Sequence, residues 1–242
     1  MGMSGTTVAV TGAGRGLGLL LVRTLVDRDA RVVANHRSPS AELEKLAAAE
    51  PGLCLVQGDI GDPDTSERIV QAGIERFGRL DGVVHNAAVT RDRALALMDV
   101  EDWDEVMRVN LRGAFLLTRA AVRVMMRRRS GRLVYLSSVS AVMGNAGQAN
   151  YAAAKAGLLG LSQAVAQEYG RYGIGSVVVA PGLLDTGLAD LLPAKVLAQK
   201  TARSLVGVCD ATAVAELVAF LVGPAGHVVN ATVVRADGGI VY

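Results

Sequence analysis

The sequence is poor in cysteine, and this scarcity excludes two common kinds of scaffold. Only two cysteines occur among 242 residues, Cys54 and Cys209, and neither has a C-x-x-C partner. Cysteine zinc sites and disulfide frameworks both need closely spaced or paired thiols. The sequence therefore predicts no metal site and no disulfide, and reduced thiols fit the cytosol best.

A strong charge imbalance and a long apolar run are also missing. The formal net charge is only +2, which gives no reason to expect nucleic acid or a membrane surface as a partner. No apolar run reaches membrane-spanning length, and no charged-then-apolar leader opens the chain. We expect a soluble cytoplasmic protein that binds neither nucleic acid nor a membrane.

No linker, internal repeat or low-complexity stretch divides the chain, so residues 1–242 are predicted to form a single domain. Short β-branched runs alternate with amphipathic segments along the whole length. The runs occupy residues 7–10, 31–34, 53–56, 82–84, 132–136, 176–180 and 232–234. Strands this apolar need cover on both faces. The pattern predicts an α/β fold, a doubly wound parallel sheet of about seven strands with helices on both sides.

A glycine-rich turn follows the first predicted strand. Residues 11–18 read TGAGRGLG, and a helical pattern of apolar residues comes directly after them. Glycines permit a tight turn and a close approach of the backbone to a pyrophosphate, whose charge then meets the N–H groups at the helix start. The spacing of Gly12, Gly16 and Gly18 differs from the plain G-x-G-x-x-G pattern, but the order strand, turn, helix favours a Rossmann-type dinucleotide site.

A hydroxyl, a phenol and an amine occur together in the second half of the chain. Tyr151 and Lys155 are four residues apart, so on a helix they lie on one face. A nearby cation favours the phenolate, and we expect it to lower the Tyr151 pKa from its ordinary value near 10. Ser138 ends an apolar run and offers a second hydroxyl for a carbonyl oxygen. The Tyr-Lys pair alone is compatible with chance, and the glycine turn makes it a candidate proton donor.

With these motifs, the chain resembles the short-chain dehydrogenase/reductase family over nearly its whole length. Within that family it is most similar to the β-ketoacyl-(acyl carrier protein) reductases. Three segments carry this closer resemblance: TRD at residues 90–92, MMRRRSGR at 125–132 and MGNAGQANYAAAKAGL at 143–158. The resemblance implies a hydride transfer from NADPH to a ketone, with a proton delivered to the ketone oxygen.

The resemblance also implies roles for four catalytic residues. Tyr151 would be the general acid, and Ser138 would hold the carbonyl oxygen. Lys155 would hold the nicotinamide ribose and lower the Tyr151 pKa. Asn110 would lie at a helix kink and hold a water that relays protons to Lys155, although its sequence context alone indicates a solvated surface residue.

Further residues match the cofactor-binding positions of the family. Asp59 and Ile60 correspond to the adenine contacts, and Thr186 to the contact with the nicotinamide carboxamide. The full implied set, which also includes Tyr151 and Lys155, consists of Gly12, Arg15, Gly16, Leu17, Gly18, Arg37, Asp59, Ile60, Asn86, Ala87, Pro181, Gly182 and Thr186.

The end of the second predicted strand indicates which cofactor is used. Enzymes that prefer NAD place an acid there, which bonds the ribose 2′-OH and would repel a 2′-phosphate. This chain has His36 and Arg37 instead, and Arg15 supplies a second guanidinium from the glycine turn. NADPH is therefore favoured. His36 is expected at the edge of the adenine pocket or facing solvent.

The implied substrate is a β-ketoacyl thioester on acyl carrier protein, with Arg129 and Arg171 as docking bases across the active-site mouth. Tyr172 stands where the resembling reductases place the second base, and residues 127–129 also fit a solvated helix end.

Two other functions stay open: a reductase of a free or cyclic secondary-metabolite ketone, and a cofactor-binding sensor or scaffold without turnover.

Residues 183–204 are expected to form a lid that sets specificity. Long helices around residues 101–126 and 150–169 imply a homotetramer.

Overall fold

The predicted alternation of strands and helices forms one seven-stranded parallel sheet in a computed structural model that describes residues 2–186, 201 and 204–240. The strands are β1 Thr7–Val10, β2 Arg31–His36, β3 Leu53–Gln57, β4 Gly82–His85, β5 Gly131–Leu136, β6 Ile174–Pro181 and β7 Val233–Ala236. Their order across the sheet is β3-β2-β1-β4-β5-β6-β7. The predicted fold class is confirmed.

Helices connect the strands and cover both faces of the sheet. The α-helices are α1 Gly16–Val26, α2 Ala41–Ala49, α3 Pro63–Phe77, α4 Val100–Met107, α5 Gly113–Arg128, α6 Ser140–Met143, α7 Ala149–Tyr169 and α8 Ala211–Val222. A π-helical segment, Arg108–Arg112, joins α4 to α5, so the long helix predicted over residues 101–126 is interrupted. Short 3₁₀ turns occur at Leu95–Leu97, Gly170–Tyr172 and Pro224–Val228. No described helix is long and apolar enough to cross a bilayer.

Alternate residues of each strand enter two separate apolar cores. In β1, Val8 and Val10 face a core shared with α1 and α8, whereas Ala9 faces a core shared with α3, α5 and α7. The same alternation holds along β2, β4, β5 and β6. Because strands point their side chains to opposite faces in turn, a strand covered on both sides must be apolar throughout. This explains the continuous β-branched runs in the sequence.

The strand order reverses between β1 and β4, which pair side by side. In open parallel sheets, such a reversal leaves a crevice at the carboxyl ends of the strands, where ligands bind.

Strand β2 extends to His36, two residues beyond its predicted end. His36 therefore belongs to the strand, and Arg37 is the first residue after it. The expectation that His36 could face solvent is wrong, because the side chain is buried.

A buried guanidinium stabilises the opposite, amino end of the sheet. Arg132 at the start of β5 is 1% exposed and donates from Nε to the carbonyl oxygen of Leu221 at 2.7 Å and from Nη2 to that of Val229. Leu221 lies in the last turn of α8, where carbonyl groups lack helical partners and the helix dipole is negative. Burial lowers the pKa of Arg132 to about 10, so the side chain stays cationic at neutral pH.

Gly173 links the turn at residues 170–172 to β6 and should not tolerate a side chain. Its φ is 71°, and an added Cβ would lie 2.3 Å from the carbonyl oxygen of Arg129. Left-handed strain and this clash together should lower the free energy of unfolding of Gly173→Ala by about 2–3 kcal/mol. Gly170→Ala is the control, because its φ is −54° and nothing lies within 4 Å of the added Cβ. Urea unfolding that gives equal losses for both variants would contradict this assignment.

Candidate active site

The glycine turn rests on the first residues after β4. The side-chain amide of Asn86 donates to the carbonyl oxygens of Thr11, at 2.9 Å, and Gly12, at 3.2 Å. The Thr11 hydroxyl accepts from the backbone N–H groups of Asn86 and Ala87, both at 3.0 Å. A Cβ on Gly12 would lie 2.8 Å from the Ala87 Cα, and one on Gly18 would lie 2.1 Å from the Gly12 oxygen. Both glycines are therefore required by close backbone packing.

The helix that follows the turn begins without a side-chain cap. Arg15 occupies the N-cap position in an extended conformation, makes no capping hydrogen bond, and the first turn of α1 contains no acidic residue. Helix N-termini carry several N–H groups without helical partners and the positive end of the helix dipole. Uncapped N–H groups behind a glycine turn fit a pyrophosphate, and the structure brings Gly16, Leu17 and Gly18 to this position.

The loop after β2 is tied to the glycine turn. The Ser40 hydroxyl donates to the Gly14 carbonyl oxygen at 2.7 Å, and Nδ1 of His36 lies 3.0 Å from the Ser38 carbonyl oxygen. Arg15 and Arg37 are both exposed on the two segments that this contact joins. The two arginines therefore lie on adjoining segments at the carboxyl end of β2, and no acidic residue ends that strand.

Asp59, the expected adenine contact, makes an ion pair that the sequence did not reveal. Arg108 donates from Nη2 to Oδ2 at 2.8 Å and from Nη1 to Oδ1 at 3.2 Å, and the N–H of Gly61 donates to Oδ1 at 2.8 Å. The Arg108 hydrogen bond is the largest influence on this carboxyl and lowers its pKa. Arg37 contributes a weaker attraction in the same direction. Ile60, the neighbouring predicted contact, is buried against Gly113.

Ser138, Tyr151 and Lys155 come together beyond the carboxyl end of β5. The Ser138 hydroxyl lies near enough to the Tyr151 phenol to lower its pKa. Nζ of Lys155 lies 5.6 Å from the Tyr151 ring centroid and donates to the Leu136 carbonyl oxygen at 2.6 Å. The Ser137 hydroxyl donates to the Lys155 carbonyl oxygen at 2.9 Å, which fixes α7 against β5. The pair that the sequence placed on one helix face therefore shares a site with the predicted hydroxyl.

The titration behaviour of this group differs from the expectation. Burial raises the pKa of Tyr151 to about 12, and the nearby Asp92 carboxylate acts in the same direction, whereas the Ser138 hydroxyl opposes them. The predicted lowering of this pKa by Lys155 is wrong for the protein alone, because burial raises it instead. Burial also lowers the pKa of Lys155 to about 8. At neutral pH the phenol keeps its proton, and the amine is mostly an ammonium that loses its proton above about pH 8.

Asn110 is buried within the π-helical segment and is not a solvated surface residue. Its Oδ1 accepts from the Val89 N–H at 2.8 Å, and its Nδ2 donates to the Val89 carbonyl oxygen at 2.9 Å. The side-chain amide is thus used to hold the loop after β4. A relay water at this position would meet the Asn110 backbone carbonyl more readily than its side chain, because both polar atoms of the side chain already bond Val89.

The predicted residues after β6 reach the same edge of the sheet. Pro181 ends β6, and a Cβ on Gly182 would lie 2.9 Å from the Asp237 Cα, so glycine permits this close packing. Thr186 is partly buried and lies at the end of a described stretch. Most of the expected lid, including residues 187–200, lies outside the described residues.

Arg129 and Arg171 lie at the other edge of the sheet, before β5 and β6 begin. The Arg129 side chain donates to the Arg171 carbonyl oxygen at 2.9 Å, and both guanidinium groups lie over the Tyr172 ring, at 5.8 Å and 5.0 Å. Tyr151 starts α7, and Arg171 follows its end. At about 1.5 Å per residue, the intervening helix separates them by roughly 27 Å. Within one chain, the predicted placement across the active-site mouth is therefore wrong.

Sequence reasoning also missed Asn150, which is fully buried directly before Tyr151. Its Oδ1 accepts from the Tyr151 N–H at 2.7 Å, and its Nδ2 donates to the Arg91 carbonyl oxygen at 3.0 Å. Gln148 reaches the same loop, donating to the Asp92 carboxylate at 2.7 Å. The two amides Gln148 and Asn150 at the start of an Ala-rich helix were the available signal. These bonds fix the start of α7, and with it the phenol, against the loop after β4.

Fold, glycine turn and Ser-Tyr-Lys geometry together define a dinucleotide-dependent oxidoreductase site. The profile of the short chain dehydrogenase family matches residues 6–196, and the chain belongs to this family. Its members use a nicotinamide cofactor, and the uncapped glycine turn described above fits one.

Curated relatives cover the chain from end to end. It is 38% identical over 99% of both chains to the 3-oxoacyl-[acyl-carrier-protein] reductase FabG of Salmonella typhimurium, and equally similar to that of Escherichia coli K12. The protein of the same name from Thermotoga maritima is 35% identical over 100% of both chains.

Proposed function

We propose that this chain is a single-domain, cytoplasmic, NADPH-dependent reductase of 3-oxoacyl thioesters carried on acyl carrier protein. One observation carries this conclusion: Ser138 and Tyr151 lie together, with buried Lys155 beside them, at the same sheet edge as an uncapped glycine turn. The names and full-length similarity of the curated relatives support the choice of substrate.

The bound dinucleotide supplies the hydride that reduces the ketone carbon. The chain's own residues polarise the ketone and deliver the proton. The Ser138 hydroxyl holds the ketone oxygen beside the phenol of Tyr151. As negative charge develops on that oxygen, Tyr151 donates its proton, because the site keeps the phenol protonated well above neutral pH. The phenol is therefore in the protonated form that reduction requires.

Lys155 restores the proton that Tyr151 gives up. The Lys155 ammonium stabilises a phenolate that forms beside it. It therefore assists the transition state even though it does not lower the pKa of Tyr151 in the resting protein. The Lys155 pKa of about 8 lets the ammonium release a proton readily at neutral pH. Its proton is replaced from solvent by a water held at the Asn110 backbone carbonyl.

Tyr151→Phe should lower the rate of NADPH oxidation with a small thioester ketone by at least about 100-fold, because a positioned acid contributes that much. The ring still packs, so NADPH affinity, measured by fluorescence titration, should stay within about twofold. Tyr169→Phe, the same change at the other end of α7, is the control and should keep full activity. A Tyr151→Phe enzyme that retains more than about a tenth of the rate would reject Tyr151 as the acid.

The preference for NADPH follows from the rim formed by Arg15 and Arg37. A guanidinium bonds a phosphate through two parallel N–H donors, and a charged hydrogen bond contributes about 1.5–3 kcal/mol. An acid at the strand end would instead bond the ribose hydroxyl and repel the phosphate. Both arginines are exposed and available to a ligand.

Arg37→Asp should reverse the cofactor preference by about tenfold or more, measured as the ratio of kcat/KM for NADPH and NADH. Arg31→Asp makes the same change of charge at the amino end of the same strand and should leave the ratio unchanged. A wild-type protein that uses both cofactors equally well would contradict the role given to Arg15 and Arg37.

The remote position of Arg129 and Arg171 suggests how a carrier protein reaches the site. We infer a homotetramer in which α5 and α7 pair with the same helices of a partner about a two-fold axis. Such pairing is antiparallel, so it brings the carboxyl end of one α7 near the amino end of the other. Gly160 has no atom within 4 Å of an added Cβ and allows close approach. The arginines of one chain would then border the Tyr151 site of its partner.

Arg129→Glu should raise KM for a ketoacyl substrate on acyl carrier protein several-fold, and more at low salt, because the carrier is acidic around its thioester arm. KM for a small free ketone should not change. Arg76→Glu on the exposed end of α3 is the matched control. Equal effects on both substrates would favour a reductase of free ketones, and a monomeric mass in light scattering would contradict delivery across a dimer.

A further inference from the structure

The π-helical segment Arg108–Arg112 is tied to its surroundings at both ends and in the middle. The Gly113 N–H donates to the Arg108 carbonyl oxygen five residues earlier, which defines the wide turn. Such turns are rare and usually persist at functional sites, because the inserted residue weakens the local hydrogen-bond ladder. External contacts must therefore hold the segment in place.

The two ends of the segment form hydrogen bonds with the loop between β3 and α3. Arg108 forms the two-pronged ion pair with Asp59 described above, and Arg112 donates from Nη1 to the Gly61 carbonyl oxygen at 3.3 Å. Directly after Arg112, an added Cβ on Gly113 would lie 3.0 Å from Ile60. The same Arg108 also donates from Nε to the Glu105 carboxylate at 2.8 Å, which orients its planar fork toward Asp59.

The middle of the segment forms hydrogen bonds with the loop after β4 instead. Asn110 makes its pair of hydrogen bonds to Val89, two residues beyond the Asn86–Ala87 platform that supports the glycine turn. One short segment thus connects the adenine side of the cleft, through Asp59, with the nicotinamide side, through Val89. Arg108 also pairs with Glu105 and, at 3.8 Å, with exposed Asp62. The Asp59 pair is the two-pronged contact to the loop, and the Asp59 and Arg108 side chains are just 22% and 30% exposed.

We propose that Arg108 is a positioning residue for the proton relay, because its ion pair with Asp59 holds the π-turn that sets Asn110. The role rests on the proposed reductase function and extends it to a residue outside the catalytic group. A partly buried, bidentate guanidinium–carboxylate pair is far stronger than a typical surface ion pair. Without it, the turn can relax toward a regular α-helix, which rotates Asn110 away from Val89 and moves its backbone carbonyl.

Arg108→Gln should lower kcat for reduction of a small thioester ketone about tenfold at saturating NADPH, since displacements of about 1 Å at a catalytic group cost up to 100-fold. KM for the ketone should stay within about twofold. Arg108→Lys keeps the charge without the fork and should recover only part of kcat. Arg123→Gln is the matched control, because Arg123 forms an exposed pair with Glu67 at 3.6 Å and contacts neither loop. A kcat of Arg108→Gln within twofold of wild type would overturn the proposal.

Amide hydrogen exchange tests the same coupling without turnover. The Val89 N–H donates to Asn110 and lies in a loop that Arg108 does not contact, so Arg108→Gln should speed its exchange about tenfold, whereas Arg123→Gln should not. Asp59→Asn breaks the pair from the other side and should match Arg108→Gln in the cofactor-free protein. Unchanged Val89 exchange in both variants would overturn the proposal. Failure of the wild-type chain to reduce any ketone would instead reject the proposed function, and the exchange result would still decide the coupling.

Discussion

Helices cover both faces of the sheet, so the polar groups that a ligand can reach lie at the ends of the strands. This constraint separates the two polar groups of residues named below. The carboxyl ends carry the glycine turn, Asp59, Ser138 and the amino end of α7 with Tyr151. The amino ends carry buried Arg132 and the two arginines around Tyr172. Parallel alignment makes the first group converge, because equivalent strand ends then share one edge.

Burial also decides how the catalytic group titrates. Taking the Tyr151 phenol and the Lys155 amine out of water disfavours both charged forms, which raises one pKa and lowers the other. A neutral phenol beside a weakened ammonium is a stable resting state. It is also poised for reduction, because the proton moves only when a ketone oxygen gains negative charge. The attraction between the Tyr151 phenolate and the Lys155 ammonium therefore arises only in the transition state.

Local patterns in the sequence predicted the structural features that depend on residues close together in the chain. The β-branched runs located all seven strands, and the i, i+4 spacing put Tyr151 and Lys155 on one face of α7. Contacts between distant segments had no such signal. Arg108 and Asp59 are 49 positions apart, and nothing in either neighbourhood indicates the other. The resemblance implied a kink at Asn110, and the π-helical segment supplies it, but the contacts to two loops that stabilise the segment had no signal in its own sequence.

At Asp59, such a long-range contact changes the role expected from the family resemblance. A carboxylate has about four acceptor sites. Arg108 uses two of them and the Gly61 N–H a third, which leaves about one for an adenine amine. The residue therefore has less capacity for the cofactor than its match to the family suggests, and more influence on the fold around it. Its lowered pKa keeps it ionised through the neutral range, so the ion pair does not depend on pH there. The loop after β3, where the resemblance implies the adenine contacts, is thus shaped by a contact within the chain, and the same contact fixes the turn that carries Asn110.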